Sequence, residues 1–193
     1  MRKIIVHEFI TLDGVIQAPG GADEDTDGGF AHGGWTLPYW HDDIGPQLSQ
    51  AFKEADTLLL GRKTWRTHGA AFDPMTGDPF ADTMNAMQKF VVSTTLKSAD
   101  LWRNSTIISR NVLDEVRKLK AQPGKNILID GSSVLCHALI ENQLIDEFDL
   151  HVYPLALGGG KRLFPAGKHV SLKLIEVKAL PTGVAFQRYR LAV

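Results

Sequence analysis

The chain has 193 residues, of which 44% are hydrophobic and 22% charged, with a formal net charge of -1 at pH 7. That length fits one globular domain with a substantial core, and the composition argues against disorder. The near-neutral balance without a long basic run excludes an electrostatic binder of nucleic acid or of acidic membranes. The lone Cys136 excludes an intramolecular disulfide or a thiolate metal cluster.

Lys3 to Ile10 reads as a strand of β-branched and aromatic residues with His7 and Glu8 embedded. Asp13-Gly14 then marks a turn. Residues 17–41 are rich in Gly, Asp and Pro, with Phe30, Trp35, Tyr39 and Trp40 among them. A segment this long is either a lid that packs on a site or a surface loop pinned by its aromatics. Asp42 or Asp43 reads as the N-cap of a helix running to about Ala55, followed by a strand from Thr57 to Leu60. A short helix starts near Trp65, residues 73–79 form a loop, and Met84 to Met87 make one helical turn. Further strands are expected at Lys89 to Thr95, Thr106 to Ile108 and Asn126 to Ile129, and further helices at Leu113 to Gln122 and Val134 to Asn142. Cys136, in an apolar helical stretch, reads as a buried structural thiol.

Strand and helix alternate without linker or repeat, which predicts a single α/β domain over 1–193 with a mainly parallel sheet. The tail differs. A strand pattern from Ile145 to Leu155, the run Gly158-Gly159-Gly160, and strands at 171–178 and 184–192 around Pro181-Thr182-Gly183 add an antiparallel edge.

The functional signal is at the strand ends. Leu58-Leu59-Leu60 stops at Gly61, and Arg62, Lys63 and Thr64 follow at once, with two positive charges and a hydroxyl at a helix start. That suits an anion, foremost a phosphate; the alternative is a plain solvated turn. Ser93-Thr94-Thr95 and Gly131-Ser132-Ser133 end two further strands in the same way, so the three would line one crevice at the carboxyl edge of the sheet. Neither a Rossmann fingerprint nor a Walker motif is present. The seven histidines show no metal-ligand spacing, so no metal site is expected.

Four segments resemble the dihydrofolate reductase superfamily, and more closely its branch with the RibD C-terminal reductase domain of riboflavin biosynthesis and stand-alone relatives. They are Thr11 to Ile16, Leu60 to Trp65, Ile129 to Leu135, and Pro154 to Gly160 with Leu163-Phe164. The resemblance implies a three-layer α/β/α fold around a mixed, mostly parallel sheet of about eight strands with an antiparallel C-terminal hairpin. It also implies an NADPH-dependent reductase acting on a small heterocycle such as a pterin or pyrimidine. By position, Gly61, Arg62, Lys63 and Thr64 match the turn holding the adenosine 2′-phosphate and pyrophosphate, and Ser93 and Thr94 match the strand end beside the adenine ribose. Gly131, Ser132, Ser133, Val134 and Leu135 match the turn and helix start under the pyrophosphate, and Ile16 matches a residue lining the nicotinamide. Asp43 matches the region of the active-site carboxylate, with a plain helix cap as the alternative. Val15 stands where RibD-type reductases often carry lysine, and Asp130 where folate reductases carry glycine. The remaining expectations are a homodimer, a cytoplasmic location, and no nucleic-acid or membrane partner. A catalytically silent nucleotide- or small-ligand-binding protein on the same fold is the alternative function.

Overall fold

The structure, a computed structural model, describes residues 1–192. Its elements are β1 (Ile4–Thr11), α1 (Ile44–Lys53), β2 (Ala55–Gly61), α2 (Arg62–Phe72), α3 (Pro79–Ala86), β3 (Gln88–Val92) and β4 (Ser105–Ile108). These are followed by α4 (Val112–Ala121), β5 (Asn126–Ile129), α5 (Ser133–Glu141), β6 (Glu147–Tyr153), β7 (Leu172–Ala179) and β8 (Ala185–Leu191). All eight strands form one sheet in the order β4-β3-β2-β5-β1-β6-β8-β7. Strands β1 to β6 pair in parallel, and β8 runs antiparallel between β6 and β7.

Helices cover both faces, so the inner strands can be apolar throughout. Leu58, Leu59 and Leu60 are all fully buried on β2. Leu59 points to one core with Val116 and Leu119 of α4 and Leu135 and Leu139 of α5. Leu58 and Leu60 point to the other, with Phe52 of α1, Trp65 of α2 and Met84 of α3. Each such side chain contributes about 1.5–3 kcal/mol through burial.

Several expected boundaries shift. Helix α2 begins at Arg62, before Trp65, because the chain leaves β2 directly into helical geometry with Gly61 as N-cap. Helix α3 is eight residues long, where one turn was expected. The Asp78 carboxylate accepts from the N–H groups of Phe80 and Ala81, and Pro79 takes the first helical position, so this Asp-Pro pair is a helix start inside an apparent loop. Strand β3 stops at Val92, short of Ser93 to Thr95. Asp43 is the N-cap of α1, but its side chain makes no capping hydrogen bond.

Lys89 on β3 is fully buried. Its Nζ donates to the carbonyls of Asn85 at 2.9 Å and Met87 at 2.8 Å, and lies 4.7 Å from the Trp102 ring centre. Burial lowers its pKa to about 8. At the far edge, β7 exposes Leu174, Ile175 and Val177. No helix among the described residues is long and apolar enough to cross a membrane.

Candidate functional site

Strands β3, β2 and β5 are neighbours, so the three polar strand ends lie side by side at the carboxyl edge. Two of them are locked together. Ser132 Oγ accepts a 2.7 Å hydrogen bond from the Gly61 N–H and shares one of 2.9 Å with Thr64 Oγ1. Both glycines are required by this approach. A Cβ on Gly61 would meet Ser132 Oγ at 2.4 Å, and one on Gly131, at φ +93°, would meet the Thr64 methyl at 2.7 Å. Ser132 itself holds φ 87°, an unusual conformation for a side-chain-bearing residue and a mark of a constrained site. The Gly131 N–H donates to Glu8 Oε1 at 2.8 Å, which ties the β5–α5 turn to β1.

The other expected residues distribute around this junction. Arg62 is half-buried in the first turn of α2, and Lys63, exposed, forms an ion pair with Asp27. Ser93 is buried just past β3, where its hydroxyl accepts from the N–H groups of Thr95 and Leu96; Thr94 is exposed. Ser133 and Leu135 are buried in α5, whereas Val134 is 80% exposed. Ile16 is buried, its N–H donating to the Lys161 carbonyl at 2.9 Å. Asp43 does not join them: it is exposed, and its carboxylate contacts Lys178 Nζ at 3.3 Å on β7, four strands away from β5.

The 17–41 segment is tied to the start of α2 and to the stretch after the glycine run. Trp35 is buried and its Nε1 donates to the Gln17 carbonyl at 2.8 Å, while Trp40 remains exposed. Asp27 is shared between Lys63 of α2 and Lys161, and Lys161 also pairs with Asp25. Between this segment and the glycine run lies an open cavity of about 450 Å³, with Gln17, Phe30, His32, Leu157 and Lys161 in its wall.

A His–Asp pair lies beside the junction of the two turns. His68 Nε2 lies 3.0 Å from Asp130 Oδ2, and the two side chains retain 18% and 26% exposure. Burial disfavours the charged imidazole, but the hydrogen bond and field of Asp130 outweigh it and raise the His68 pKa. Burial likewise pushes Asp130 up, and the His68 hydrogen bond and charge bring it below the usual carboxylate range. Sequence reasoning noted Asp130 and passed over its partner. Thr64 and His68 are four residues apart on α2, so both face β5, and that spacing was the available signal. Deeper on the same side, His7 and His151 are buried with ring centres 5.3 Å apart, and burial lowers both pKa values, His151 to about 3.

A model of the RibD C-terminal domain family matches residues 2–186. The chain belongs to this family. The uncharacterised protein YyaP of Bacillus subtilis (strain 168) is 31% identical over 188 residues, covering 95% of this chain and 92% of YyaP. A Shewanella sp. PV-4 crystal structure described as a candidate riboflavin biosynthesis protein superposes with a TM-score of 0.69 at 22% identity, covering 99% of each chain. Enterococcus faecalis dihydrofolate reductase, in complex with NADP(H) and RAB-propyl, superposes with a TM-score of 0.63 at 14% identity, covering 99% of this chain and 97% of the enzyme. The sheet order and these superpositions make this the dihydrofolate reductase-like α/β fold, with its antiparallel C-terminal strands, in a family of reductase type.

Proposed function

We propose that this protein is an NADPH-dependent reductase of a small heterocyclic substrate. One observation carries the reading: Arg62 and Lys63 occupy the first turn of α2, whose N-cap Gly61 offers no side-chain acceptor and whose first turn holds no acid. The positive end of the helix dipole disfavours cations there by about 0.3–1 kcal/mol each, so the arrangement is stabilised by an anion that spans them. Gly61 and Gly131, which leave no room for a Cβ, keep the two turns packed against each other, so that the starts of α2 and α5 lie side by side.

In this reading Arg62 and Lys63 bind the 2′-phosphate end, and Thr64, Ser132 and Ser133 flank the pyrophosphate. Ser93 and Thr94 border the adenine ribose, and exposed Val134 and core Leu135 form the start of the helix beneath the pyrophosphate. Ile16 borders the nicotinamide, and the 17–41 segment excludes water. Bound NADPH supplies the hydride; the chain binds, orients and shields. A homodimer and a cytoplasmic location belong to the same reading. The exposed apolar strand β7 supports the dimer, which sedimentation equilibrium tests.

Titration of the purified protein with NADPH and NADH, followed by nicotinamide fluorescence, tests the whole. NADPH is expected to bind more tightly, and Arg62→Ala to weaken it by about 10- to 100-fold, the range for a lost charge-assisted hydrogen bond. Equal affinity for both cofactors, or an Arg62→Ala protein that binds as the wild type does, contradicts the assignment.

A further inference from the structure

Reduction of a C=N or C=O bond requires a proton as well as a hydride. Asp43, exposed and contacting Lys178 on the far side of the sheet, lies away from the crevice. His68 and Asp130, in contrast, stand at the end of β5, directly beside the Gly131-Ser132 turn and one helical turn beyond Thr64. We propose that His68 is the general acid of this site and that Asp130 is its positioning residue. The inference rests on the reductase reading.

The geometry assigns different tasks to the two imidazole nitrogens. Nε2 is engaged by Asp130 at 3.0 Å, and Nδ1 has no hydrogen-bond partner among the described residues. An imidazole held at one nitrogen by a carboxylate has its tautomer and orientation fixed, and the second nitrogen is left to exchange a proton. The ring is set by Phe72 and Trp102, with centres 5.7 Å and 6.2 Å away.

The charged groups that face His68 are Asp130 from β5 and Glu24 from the 17–41 segment, and both favour the imidazolium. His7 on β1 faces Asp130 in turn. The Glu24 side chain accepts from the N–H groups of Gly20 and Gly21, so its charge is tied to that segment.

The step balances. The reductant is a reduced nicotinamide, whose hydride brings an electron pair to the substrate carbon. The substrate's π pair moves to its nitrogen or oxygen, and the Nδ1–H bond of His68 breaks as the new N–H or O–H bond forms. His68 is left neutral with Nε2–H still on Asp130, and water restores its proton. The fitting substrate class is an unsaturated ring carbon–nitrogen bond or a carbonyl whose heteroatom is basic enough to take that proton at neutral pH.

Two measurements test this. Ring-labelled histidine NMR from pH 5 to 9, with His68 assigned by its loss in His68→Gln, should show it titrating above 6.5. In Asp130→Asn it should titrate about one pH unit lower, and NADP⁺ should perturb its ring signals. A His68 that is neutral at pH 6, or unmoved by Asp130→Asn, overturns the proposal without any substrate. Turnover with NADPH and either dihydrofolate or 5-amino-6-(5-phosphoribosylamino)uracil gives the second readout. His68→Gln should lower kcat by about 100-fold with NADPH affinity unchanged, and Asp130→Asn should shift the alkaline limb of the pH profile toward acid. Unchanged turnover and pH profile in His68→Gln overturn the general acid, whereas wild-type protein that fails to bind NADPH overturns the reductase reading instead.

Discussion

On the α4/α5 side of the sheet, Val6, Leu59, Ile129 and Phe148 meet Val116, Leu119 and Leu139 in a continuous apolar core. Its ionisable members, Glu8 and Cys136, both have pKa values pushed well above the ordinary range, chiefly by burial. On the α1/α2 side several polar groups are paired instead. His68 engages Asp130, Arg188 engages Asp149 at 2.7 Å, and His151 Nε2 engages Gln47 at 2.9 Å. The two sides share the same strands, so the difference comes from alternate residues of one backbone. The α4/α5 side disfavours charge throughout, whereas the α1/α2 side sets charge pairs beside two histidines whose pKa values burial lowers, and that mixture is where chemistry can be placed.

The largest expected effect falls on the apolar side. Leu59→Ala should cost about 2–5 kcal/mol in urea unfolding, while protein still folded at low urea should bind NADPH as before. A matching loss of cofactor affinity would mean that the sides are coupled more closely than this division allows. Gly131→Ala acts at the crevice: positive φ and the contact with the Thr64 methyl together should cost about 1–3 kcal/mol, with NADPH binding falling more steeply than stability.

The paired side should also carry the pH response between 7.5 and 5. His7 and His151 have folded pKa values below the unfolded one, so the unfolded chain takes up protons that the fold refuses. Their contribution is therefore full above pH 6.5 and declines as pH falls, by up to about 1.4 kcal/mol per pH unit per group. His68 has the opposite sign: its raised pKa gives stability that is full below 6.5 and lost as pH rises through the folded value. Urea midpoints at pH 7.5, 6.5 and 5 should fall toward acid, and His151→Gln should flatten that fall; an unchanged slope contradicts the assignment. The smallest effect concerns the 17–41 segment. Asp27→Asn frees Lys63 from an exposed ion pair worth under about 1 kcal/mol, so NADPH should bind up to roughly fivefold more tightly by titration.

The inner sheet was legible because β2 and β5 are compact apolar runs with their own punctuation, and Asn126–Ile129 falls where its flanking residues put it. The glycine turns were legible for the same local reason. Helix α3 was not, because a capping Asp-Pro pair within Asp73 to Pro79 has the composition of a loop. The buried Lys89 was hidden by its residue type; only the carbonyls of Asn85 and Met87 and the Trp102 ring make its position tolerable. Partners far apart in sequence were hidden for a different reason. His68 and Asp130 are 62 residues apart, and the one local hint, the four-residue spacing of Thr64 and His68 on α2, points to β5 without naming Asp130.

The placement of β1 has a consequence for how the chain is made. It sits between β5 and β6, and its register joins Ile4 to Ile127 and Ile5 to Glu147. During synthesis this Ile-Ile-Val strand therefore emerges more than a hundred residues ahead of either neighbour, a wait on the order of ten seconds at ordinary translation rates. Strands β2, β3 and β4 lie next to one another in both sequence and space and can assemble in that interval. The nascent protein closes from its flank toward its centre, with its earliest strand among the last to be paired. Refolding of the complete chain is free of that delay but still has to close the longest loop in the sheet, so a slow, high-contact-order phase belongs to the central strand in both settings.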